Sequence, residues 1–152
     1  MDKKTDVVEA LKDYALKNAN KGLYMQSLKR LKDAQFTISP DGTGFQVKQL
    51  GNTVLKFVHF QKIIEKANQL GGKMLRGDEL AQVKGFRLGK GISHDCMEGF
   101  IARELLHIED GSAVTRRSTY YSGILASAGI VTIHKSAGEG SYIIVNTNYR
   151  NI

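Results

Sequence analysis

The chain has 152 residues, is 41% hydrophobic and 24% charged, and carries a formal net charge of +7. That length suits one domain, or one domain with an extension, and the composition is that of a globular protein rather than a disordered or fibrous one. A single cysteine, Cys96, excludes an intrachain disulfide, and no apolar run approaches the ~20 residues of a membrane span. The basic balance favours a polyanionic partner, nucleic acid first among them. The opening residues, Met1 to Lys12, are charged and helix-like rather than leader-like. The expected location is therefore cytoplasmic and nucleoid-associated, with no membrane partner.

In chain order, Asp6 is placed to cap a first helix with Glu9 as its box partner, and Val7, Val8, Leu11 and Tyr14 recur at helical spacing. Asn18 to Gly22 breaks that helix. A second amphipathic stretch follows, with Leu23, Tyr24, Leu28 and Leu31 opposite Lys29, Arg30 and Lys32. Two apolar stripes within residues 5–34 leave more surface than the segment can bury alone, so this region is expected to form a homodimer. Alternation at Phe36 and Ile38, the turn Pro40-Asp41-Gly42, and alternation at Phe45 and Val47 predict a hairpin. After the turn at Gly51-Asn52, Val54 to Val58 is a third strand. Phe60, Ile63, Ile64, Ala67 and Leu70 form a helical stripe that stops at Gly71-Gly72.

Residues 73–92 are Gly-rich and basic, with Lys73, Arg76, Lys84, Arg87 and Lys90 against Asp78 and Glu79. Asp78 is expected to cap a short helix through Val83. Asp95 and Glu98 read as a capping box for a helix burying Met97, Phe100, Ile101 and Leu105. Glu109-Asp110-Gly111 is a turn, Ser112 a cap, and 113–128 a helix ended by Gly129. Ile130 to Ile133 and Tyr142 to Val145 are strands joined by the loop Ser136 to Gly140.

At 100° per residue, Val114, Tyr121, Ile124, Leu125 and Ala128 share one sector of the helix 113–128. Thr115, Arg116, Thr119, Gly123 and Ser127 fall opposite, with Arg117 and Tyr120 flanking. The polar sector suits a recognition helix, since arginine takes guanine bidentately and hydroxyls reach bases or phosphates. The same sector also fits an ordinary solvated face. Ser112 and the free amides beside it would form a phosphate site. Residues 92–111 carry five acids against Arg103, whereas Arg116, Arg117, Lys135 and Arg150 face only Glu139 from 112 onward. That asymmetry turns the acidic helix away from DNA. No CxxC or HxxxH spacing supports a zinc site, and Glu65-Lys66 lies in a helix pattern, not on a nuclease strand. Gly85 to Gly91 lacks the phosphate-loop frame, leaving a basic connector or a phosphate contact. The sequence therefore presents no catalytic, metal or cofactor residues.

Met97 to Arg103, Arg116-Arg117 through Ile124 to Ile130, and the closing strand pair together resemble the winged helix-turn-helix superfamily over residues 95–145. With the elements read above, the resemblance gives the expected fold as α+β: N-terminal helices and a small antiparallel β-meander over 1–57, followed by a winged helix-turn-helix region over 58–152. It also implies double-stranded DNA as partner. Leu70-Gly71-Gly72, Arg76-Gly77-Asp78 and Arg116-Arg117 faintly resemble the DNA-reading part of a restriction or homing endonuclease. The function so implied is that of a sequence-specific repressor acting by promoter occupancy. The alternatives are a small endonuclease or its reading module, and a basic module that binds an acidic protein. Expected DNA contacts are Ser112, Thr115, Arg116, Arg117, Thr119, Tyr120 and Lys135, with Arg76, Lys84, Arg87 and Lys90 from the basic stretch.

Overall fold

The computed structural model describes residues 6–18, 36–47, 50–51, 53–138 and 140–150. The predicted helix at 23–32 lies outside them. The fold is mixed α and β. Helix α1 (Val7–Asn18) begins where Asp6 Oδ1 accepts the amides of Val8 at 2.8 Å and Glu9 at 3.2 Å, which satisfies two of the donors every helix start leaves free. Its Val7, Leu11 and Ala15 are buried, as helical spacing requires of one face.

Strands β1 (Phe36–Ile38), β2 (Gly44–Val47) and β3 (Val54–Lys56) form an antiparallel meander. Its first turn closes by Gly42 N donating to Ser39 O at 2.9 Å, with Gly42 at φ 76°, a conformation glycine adopts without steric cost. Pairing of Phe36 with Val47 and of Phe45 with Leu55 puts all four on the buried face. The third strand ends earlier than Val58. Helix α2 (Phe57–Gln69) follows it directly, because Phe57 already belongs to the helical stripe with Phe60, Ile63, Ile64 and Ala67. Gly71 and Gly72, at φ 92° and 91°, stop the helix, with Gly72 N donating to Ala67 O at 2.8 Å.

Strand β4 (Lys73–Leu75) pairs with β8 (Gly140–Val145), whose other edge pairs with β7 (Val131–Ser136), so the second sheet runs β4-β8-β7. Between β4 and β7 come a single 3₁₀ turn at 80–82, the two-residue strands β5 (Arg87–Leu88) and β6 (Gly91–Ile92), and two helices. Helix α3 (Met97–Phe100) continues as a π-helical turn over 101–105, with Leu106 N donating to Ile101 O at 3.0 Å. Helix α4 (Ser118–Ser127) leads through Gly129 into β7. One core joins these parts. Phe36, Phe45, Phe60 and Tyr121 form a chain of rings with successive centroids 4.9, 5.9 and 4.8 Å apart. Each such buried side chain contributes about 1.5–3 kcal/mol of transfer free energy. Among the described residues, no helix is long and apolar enough to cross a membrane.

Candidate nucleic-acid interface

The helix predicted over 113–128 starts five residues later, at Ser118. Ser112 does not cap it. Its amide donates to Glu109 O at 3.2 Å and its carbonyl accepts Leu88 N at 3.0 Å, so it belongs to a turn against β5. The cap comes from Glu98, whose carboxylate accepts Arg117 N at 2.6 Å, Ser118 N at 3.2 Å and Ser118 Oγ at 2.6 Å. A negative group at a helix N-terminus is favoured by the free amides and the dipole. Glu98 is fully buried, and that burial pushes its pKa up although the Ser118 and Arg117 donors pull it down.

Glu98 is thus not half of a capping box with Asp95. The cap of α3 is Cys96, whose Sγ accepts Gly99 N at 3.4 Å, while Asp95 pairs with Lys66 at 3.0 Å. Burial raises the Cys96 thiol pKa.

The expected solvent-facing sector of α4 is not exposed. Thr119, Ser122 and Gly123 are buried along with Tyr121, Ile124, Leu125 and Ala126; Tyr120 and Ser127 are half-buried. Two of its hydroxyls are satisfied within the helix and its approach segment. Ser122 Oγ donates to Ser118 O at 2.7 Å, and Thr119 Oγ1 accepts Arg116 Nε at 3.1 Å. Hydroxyls aimed at a groove and hydroxyls folded back on their own helix look alike in sequence.

Arg76 is withdrawn from any surface. It is 2% exposed, and Nη1 donates to Ser141 Oγ at 2.9 Å. Burial pushes its pKa down, partly opposed by the nearby Asp78 carboxylate. Asp78 is not a helix cap either: it is buried, 3.9 Å from Arg76 Nη1 and 3.4 Å from Arg116 Nη2. Arg117 is half-buried and Thr115 exposed. Lys135 is exposed on β7 and lies 3.6 Å from Glu79. Lys84, Arg87 and Lys90 are exposed on the loop 83–91 and form no ion pair among the described residues. The structure therefore separates the predicted contacts: these three are on the surface, Arg76 and Thr119 are inside, and Arg116 is tied to Asp78.

His94 Nε2 lies 2.6 Å from Asp110 Oδ1, and Arg103 Nη1 is 3.1 Å from Oδ2 of the same carboxylate. These partners, His94 first, hold the Asp110 pKa down. They pin the loop ahead of α3 to the turn at 110–111. Among the described residues, no group of three or more His, Cys, Asp or Glu is placed to hold a metal ion. No protein-family model, curated protein or solved structure matches this chain.

Proposed function

We propose that the chain is a sequence-specific double-stranded DNA-binding protein of the winged helix-turn-helix kind, which represses transcription by occupying its site. The observation that carries this is connectivity. The order helix (α2), strand (β4), then after β5 and β6 helix (α3), helix (α4) and hairpin (β7-β8), with the early strand β4 paired to the return strand β8, supports the reading of a winged unit with that hairpin as its wing. The net charge of +7 supports a polyanionic partner. The burial of α4 departs from the usual arrangement and moves the burden of contact to other elements. A homodimer is part of the proposal, on the ground of the two apolar stripes read within residues 5–34.

The test is repeated selection from a random-sequence duplex pool, read by gel shift and sequencing. Enrichment of one common sequence on uncut DNA, with magnesium present, is the expected result. A pool that stays random, or is cleaved, contradicts the proposal. Light scattering on the same sample distinguishes a dimer from a monomer.

A further inference from the structure

With α4 buried, a duplex must be met elsewhere, and loop 83–91 has the properties that contact demands. Lys84, Arg87 and Lys90 fall within seven residues, all exposed and without a carboxylate partner among the described residues. By contrast Lys17, Lys66, Arg103, Arg116 and Lys135 each lie within 4 Å of an acid. Three like charges on one short loop repel each other, and a polyanion relieves that repulsion while releasing its own counterions.

The loop is also pre-shaped. Arg87 N donates to Lys90 O and Lys90 N to Arg87 O, both at 2.8 Å, and Gly89 N donates to Ile92 O at 2.9 Å. Leu88 N and O are bonded to Ser112 O and Gly111 N at 3.0 and 2.8 Å, and the Leu88 and Ile92 side chains are buried. Gly91, at φ 92°, lies under the Phe86 ring, where an added Cβ would stand 2.5 Å from the ring carbon Cγ. A loop already held in shape loses little further entropy on binding. Folding leaves Val83 and Phe86 42% and 37% exposed beside these cations. Apolar side chains flanked by Lys and Arg recur where proteins meet nucleic-acid grooves.

We infer that loop 83–91 is the principal DNA-contacting element, with Lys84, Arg87 and Lys90 on backbone phosphates and Phe86 in apolar contact with the duplex. This rests on the DNA-binding function proposed above and names the surface that carries it.

The experiment compares the full chain with the triple variant Lys84→Ala, Arg87→Ala, Lys90→Ala, with Phe86→Ala, and with a control, Lys56→Ala plus Lys62→Ala. The control removes two other exposed lysines, on β3 and α2, that also have no ion pair among the described residues. Binding to a fixed 30-base-pair duplex is measured across salt, and thermal melting confirms that each variant folds. Three lost phosphate contacts lower the slope of log K against log salt by about 2.7 units, at roughly 0.9 per contact. The triple variant is expected to show that drop, and the control to lose less slope than the triple. Phe86→Ala is expected to lose affinity about tenfold with its slope unchanged, which separates apolar contact from charge. A triple variant that melts like the parent and keeps its slope overturns the inference and leaves DNA binding standing. A parent chain that binds no duplex overturns both.

Discussion

Replacing Glu98 should unfasten the start of α4, and the size of the effect follows from what its carboxylate holds. It accepts three donors, the amides of Arg117 and Ser118 and the Ser118 hydroxyl, and is itself fully buried. Glu98→Ala leaves those donors without a partner and opens a cavity behind Ser118. Each orphaned buried group costs about 1–3 kcal/mol, and a lost helix cap about 1 kcal/mol. Water entering the cavity offsets part of this, so the expected loss is ~3–4 kcal/mol, or a melting temperature lower by about 10 °C for a chain of this size. Glu98→Gln keeps an acceptor for the amides and should cost about 1 kcal/mol. The two variants also differ in pH dependence. The folded-state pKa of Glu98 is raised, chiefly by burial, so its favourable contribution is complete below the unfolded value, about 4.3. It is lost as pH rises through the folded pKa, because the unfolded state then releases a proton the folded state retains. The parent should lose stability relative to Glu98→Gln across that window, as read by urea melts from pH 4 upward. A Glu98→Ala variant within 1 kcal/mol of the parent, or parallel pH curves for parent and Glu98→Gln, would refute the reasoning.

Cys96 is buried with a raised thiol pKa, so an aromatic disulfide reagent at pH 8 should label it slowly in the folded protein and at once in denaturant; equal rates would contradict the packing. Gly44→Ala places a Cβ against Leu55 O and 2.7 Å from Lys56 Cα, so it should break the β2–β3 pairing and cost ~2 kcal/mol or more in a urea melt. Tyr121→Phe should cost under about 1 kcal/mol, since the hydroxyl has only a 3.5 Å contact with His59 Nδ1. Tyr121→Ala should cost about 3–5 kcal/mol, because the ring fills the core beside Phe60.

Elements with a strong local signal were legible in the sequence. Proline and glycine at 40 and 42 mark the β1–β2 turn, the stripe from Phe60 to Ala67 gives α2 its buried face, and Gly71-Gly72 and Gly129 stop their helices where expected. Asp6 caps α1 as its side chain and position predict. What escaped was set by distant partners. Three residues, Lys73 to Leu75, are too few to show a period, and β4 exists because β8 supplies its hydrogen bonds. Ser112 is a suitable cap residue, yet Glu98 takes that role for α4 from 20 positions away in sequence. Of the proposed interface, Lys84, Arg87 and Lys90 were legible as an unbalanced basic run. The burial of Arg76 and Thr119 was not, because an arginine that donates to Ser141 inside the fold has the same local sequence as one facing solvent.

The measurement that bears most directly on DNA binding is the affinity of the full chain for duplex DNA as a function of salt. Contacts from Lys84, Arg87 and Lys90 give a slope of log K against log salt near −2.7, at roughly 0.9 per contact, a loss of about fortyfold between 50 and 200 mM. Binding with that steepness is the expected result. A slope near zero, or no binding to any duplex at 50 mM salt, would contradict a protein that works by gripping the DNA backbone.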